Sequence, residues 1–215
     1  MQSDLMETDW AAEHLQTIRT LMERSAVYRR ALAPIMVWNG IVGIAGGLVG
    51  SELDLPTATF IEFWSAAAVL AIIGSFLLVR RQALKDSEPF WSPPTRRIAQ
   101  ALLPPLFIGA FVNFMVAFMT WKDASRDTGA LTILVIFWLL LYGCAAHAAG
   151  FFMTRGMKLF GWVFIIVGCG LLAGIFTESR AFEIPASLLM AATFGGLHLA
   201  YGIYLYLTEK GKNAT

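Results

Sequence analysis

Two histidines stand inside apolar runs of this chain: His147 in LLLYGCAAHAAGFF (139–152) and His198 in GGLHLAYGIYLYLTE (195–209). An imidazole changes charge near neutral pH, and its ring nitrogens relay protons or ligate metals. Two of them on different helices can hold one metal ion or fill both axial positions of a haem. A neutral histidine also does a plainer job, hydrogen-bonding across helices for a gain of about 1 kcal/mol. The polar side chains available at similar depth are Asn39, Asn113, Tyr142, Tyr201 and Tyr204, with Glu62 near the outer boundary. His147, His198, Asn39, Asn113 and Tyr201 therefore form the candidate ligand-binding set, expected to border a common polar pocket open towards the cytoplasm. Cys144 lies three residues before His147, which puts thiol and imidazole on one helix face. Cys144 and Cys169 read as core packing, without a disulfide. No phosphate loop, nucleophile elbow, HExxH or CxxC occurs, so no catalytic residue, metal site or particular cofactor is nominated.

The elements that must position these residues follow from composition. Of 215 residues, 57% are hydrophobic and 14% charged, with a mean hydropathy of +0.64. Soluble domains carry about a quarter charged residues. The net charge of +1 gives no basic surface for nucleic acid. Six apolar stretches, 31–50, 60–79, 98–121, 129–152, 158–176 and 184–207, approach or exceed the roughly 20 residues a helix needs to cross a bilayer. None alternates every second residue as a barrel strand would. The expectation is an all-α, polytopic membrane bundle: a cytoplasmic amphipathic helix over 1–30, a six-helix transmembrane domain over 31–207, and a short cytoplasmic tail over 208–215.

Orientation is read from the basic residues. With the N-terminus inside, only Lys122, Arg126 and Arg180 fall outside, in the loops 51–59, 122–128 and 177–183, against 13 of the 16 Lys and Arg on the inner side. Both termini are then cytoplasmic. About thirty polar residues precede the first apolar run, so no cleavable signal peptide is visible.

Within DWAAEHLQTIRTLMERSAVYRR, Ala11, Leu15, Ile18, Met22 and Ser25 form one apolar helical stripe, with Asp9 placed as an N-cap and His14 solvated. That helix can lie on the inner membrane face, pair with a second copy, or cover the mouth of the bundle. The longest loop, RRQALKDSEPFWSPPTRR, holds Trp91 at headgroup level, and Pro93 and Pro94 are expected to stop any helix there. Its arginines would bind lipid phosphates, or a cytoplasmic partner would dock there. Gly43–Gly47, Gly46–Gly50 and Gly170–Gly174 are pairs four apart that let helices approach closely. Pro104 and Pro105 are expected to kink the third helix, or delay its start, and to line a cavity. Similar endings from Gly74, Gly150 and Gly202 suggest three tandem helical hairpins.

RTLMERSAVYRR, PFWSPPTRR, LLYGCAAHAAGFF and GGLHLAYGIYLYLTE together resemble an uncharacterised family of bacterial six-helix integral membrane proteins. The resemblance covers most of the chain and implies the bacterial inner membrane, and it carries no activity with it. The functional expectation is a non-enzymatic membrane protein binding a small ligand between its helices, as a sensor or accessory subunit. A small-solute or proton-coupled transporter and a haem-binding or quinone-linked electron-transfer protein are the alternatives.

Overall fold

The computed structural model describes residues 26–87, 90–91, 93–122, 125, 127–153, 155–177 and 184–212. Six helices long and apolar enough to cross a membrane make up this part of the chain. They are α1 (Ala26–Glu52), α2 (Thr57–Lys85), α3 (Pro93–Thr120), α4 (Thr128–Ala149), α5 (Arg155–Phe176) and α6. The last has three consecutive stretches, α-helical over Ala186–Met190, π-helical over Ala191–Leu197 and α-helical over His198–Lys212. Most of the amphipathic segment expected over 1–30 lies outside the described residues. The part that is described, 26–30, is already the start of α1, so no break separates it from the first span.

Local chemistry sets the helix ends. Asp127 caps α4, its side chain accepting from the Ala130 N–H at 2.9 Å, which satisfies one of the free donors of a helix start. Pro93 opens α3 instead of stopping a helix. The first turn needs no intrahelical N–H, and a proline's fixed φ already suits a helix. The connection before it is thereby shortened to 86–92, and Trp91 within it is exposed. Pro104 and Pro105 sit inside a continuous α3, whose most apolar stretch has no fully buried residue. At 29 residues α2 is about 43 Å long, which exceeds a hydrocarbon core of about 30 Å. Its far end carries Arg80, Arg81 and Lys85 into the polar region.

Packing is decided by backbone approach, and it follows two glycine-lined seams. Along α1 and α6, a Cβ at Gly40 would lie 2.6 Å from the Leu199 nitrogen, and one at Gly43 2.6 Å from the Gly195 nitrogen. Gly47 abuts Ala191 and Ser187 on the same seam, while Gly46 faces the Trp64 ring on α2. Along α4 and α5, Gly143 meets the Gly161 carbonyl and Ile165, and Gly161 meets the His147 backbone. The expected contact at Gly170 is absent: open space surrounds it, and Gly161 and Gly168 make the approach instead. The first helix thus closes against the last, and α4 against α5, so the three tandem hairpins suggested by sequence do not describe the tightest pairings.

The core lies among α1, the first part of α2, α4, α5 and α6, centred on Phe60, Trp64, Leu131, Val135, Leu139, Phe160 and Phe164. α3 is peripheral. It is held to α4 and α2 by Asn113, whose Oδ1 accepts from Trp138 Nε1 at 2.7 Å and whose Nδ2 lies 3.5 Å from Ser65 Oγ. The turns after α1 and α3 meet at one end, where the Thr57 N–H donates to the Ser125 carbonyl at 3.2 Å. Cys144 and Cys169, expected in the core, are both exposed on the outside of the bundle. Facing lipid costs a thiol little, since it behaves as a small apolar group.

Candidate ligand-binding site

The π-helical stretch of α6 prepares the site. A π turn carries one residue more than an α turn, which shifts the phase of everything after it by about 100°. Gly195 meets α1 in the middle of this stretch, where a side chain would not fit. The Thr193 hydroxyl, buried, donates to the Leu189 carbonyl at 2.6 Å. Phe194, His198 and Tyr201 then form the neighbouring stripe, turned towards α4 and α5.

His198 is 2% exposed and stands in an aromatic enclosure. Its ring centroid lies 5.0 Å from Phe160, 5.2 Å from Tyr142, 5.5 Å from Phe164 and 6.3 Å from Phe194. Tyr201 stacks on Phe160 at 4.8 Å, and its hydroxyl is seated over Gly156 at the start of α5. The Tyr142 hydroxyl lies 2.6 Å from His198 Nε2. With the phenol donating, the neutral ring carries its proton on Nδ1. That nitrogen is buried beside the Phe194 carbonyl and makes no well-formed hydrogen bond.

The five residues nominated from sequence do not converge. His198 and Tyr201 share the enclosure, both packing on Phe160. His147 lies elsewhere, its ring against Phe151 and Trp162 and its Nδ1 3.4 Å from the Lys158 carbonyl. The α5 residues that meet His147, Lys158 and Trp162, alternate with Phe160 and Phe164, which meet His198. Residues two apart point about 200° from one another on a helix, so the two imidazoles fall on different sides of α5. Among the described contacts the two rings share no neighbouring side chain. Asn39 accepts from Ser75 Oγ at 3.1 Å on the α1–α2 seam, and Asn113 joins α3 to α4. Each of these groups found a partner on the nearest helix, which satisfies it without a shared site.

Tyr142, which sequence reasoning placed only as a neighbour, is the residue that meets His198; its spacing from His198 carries no signal, because the pair is joined by tertiary packing across 56 positions. Among the described residues, no three His, Cys, Asp or Glu side chains group closely enough to hold a metal ion. Comparisons with protein-family models, curated proteins and solved structures find no match to this chain.

Proposed function

We propose that this is a non-enzymatic protein of the bacterial inner membrane, with both termini cytoplasmic, that binds a small ligand within its helix bundle as a sensor or accessory subunit. The observation that carries the reading is the Tyr142–His198 pair inside an otherwise apolar enclosure, directly after a π-helical turn. An aromatic side chain at 198 would fill that space without the cost of a buried imidazole. π turns inserted in α-helices recur at functional sites. A largely apolar molecule bearing one polar group matches these surroundings, the rings of Phe160, Phe164 and Phe194 about the imidazole of His198. Binding there would bear on the π stretch, whose conversion to α-helix would turn the end of α6 and pass the event to the cytoplasmic side. The bias of 13 of 16 basic residues towards one face, and the resemblance to bacterial six-helix proteins, support the orientation and the membrane.

The test is direct. Wild-type protein and His198→Leu are purified from the same membranes, extracted with organic solvent, and the extracts compared by mass spectrometry. A compound at stoichiometric level in the wild type and lost from the variant supports the reading; identical extracts sink it.

A further inference from the structure

The α4–α5 turn carries a second constellation, on the side of α5 away from His198. His147 and Phe151 are four residues apart, as are Lys158 and Trp162. Two glycines bring the pairs together: Gly161 seats against the His147 backbone, and Gly150 against the Lys158 backbone and stem. The Lys158 ammonium is thereby held 3.8 Å above the Phe151 ring, and the His147 ring meets Phe151 and Trp162 edge-on at 5.4 and 5.5 Å. Phe151 is 62% exposed and Trp162 49%, so the cluster faces outwards. α4 and α5 contain no carboxylate between Asp127 and Glu178, which leaves Lys158 without an acidic partner on either helix. A π face satisfies an ammonium from one side only, and its remaining donors point away from the ring.

We propose that this turn binds the phosphate headgroup of an anionic phospholipid. Lys158 supplies the charge, His147 a second polar contact, and Phe151 and Trp162 the aromatic rings that sit at headgroup level. Ile166, 64% exposed one turn beyond Trp162, continues the same face as an apolar track for an acyl chain. That track selects a lipid over a free phosphate ion, which has nothing to lay along it.

Native mass spectrometry of the full chain in neutral detergent tests the site, using phosphatidylglycerol and phosphatidylcholine with matched acyl chains. Wild-type protein should retain phosphatidylglycerol about fivefold over phosphatidylcholine, the equivalent of about 1 kcal/mol for one basic side chain at an anionic surface. Lys158→Gln should bring that ratio to about one, Lys158→Arg should restore it, and excess inorganic phosphate should not displace the lipid. Equal retention of the two lipids by the wild type, or an undiminished preference in Lys158→Gln, overturns the proposal. Displacement by inorganic phosphate overturns it too, by assigning the charge to a free-anion site.

Discussion

Gly43 of α1 and Gly195 of α6 meet backbone to backbone, so that a Cβ on Gly43 would lie 2.6 Å from the Gly195 nitrogen. The contact closes the bundle by joining its first helix to its last. It also holds the π-helical stretch from behind, which fixes the direction in which His198 is presented to α4 and α5.

Substitution along this seam should therefore be costly. Gly43→Leu or Gly195→Leu forces the helices apart and should destabilise by about 1–3 kcal/mol or more, the usual range for overpacking. Gly170→Ala meets open space and should be neutral, or stabilising by up to about 1 kcal/mol from helix propensity. Unfolding of each variant in mixed micelles, followed by circular dichroism, measures both. Equal loss at Gly43 and Gly170 would show that the seam is wrongly placed.

The Tyr142–His198 bond should appear as a coupling energy. Tyr142→Phe removes the donor and leaves Nε2 of His198 buried and unmet, for a loss of about 1–3 kcal/mol. In a His198→Leu background the same change should cost much less. A double-mutant cycle on unfolding free energies reads the difference directly. Strictly additive losses would mean that the two side chains do not interact.

Asn113 carries the polar attachment of α3 to α4. Asn113→Leu should cost about 1 kcal/mol, within the range for hydrogen bonds between membrane helices. It should also loosen α3, seen as faster disulfide exchange between cysteines placed on α3 and α4. Ser65→Ala, which removes only the 3.5 Å contact, should cost less. A larger effect at Ser65 than at Asn113 would reverse the assignment.

Both native cysteines are exposed on the outside of the bundle, so Cys144→Ala with Cys169→Ala should be tolerated with a loss under about 0.5 kcal/mol, as for surface changes generally. In that background a cysteine at Ser125 should react with an impermeant maleimide added outside whole cells, and one at Ser87 should not. Both positions are exposed, Ser87 just after α2 and Ser125 between α3 and α4. The opposite labelling pattern would invert the orientation argued from charge.

The number of spans was legible in the sequence because a bilayer imposes a length. Six apolar runs of about 20 residues can satisfy their backbone in lipid only as helices. The polar residues that bridge helices, Asn39, Asn113, His147 and His198, were legible for a similar reason, since lipid offers them no partner. What only the tertiary structure decided is which faces meet. In a soluble helix the apolar stripe marks the core, but here the lipid side and the packed side are equally apolar, and Phe107 or Ile166 looks no different in sequence from Phe160. Glycine spacing announces a close approach without naming the partner, so Gly170 misled while Gly161 and Gly168 made the contact. The separation of His147 from His198 had the same origin. Sequence supplied their positions along their helices, whereas the side of α5 on which each ring falls depends on the rotation of packed helices and on one added residue in a π turn.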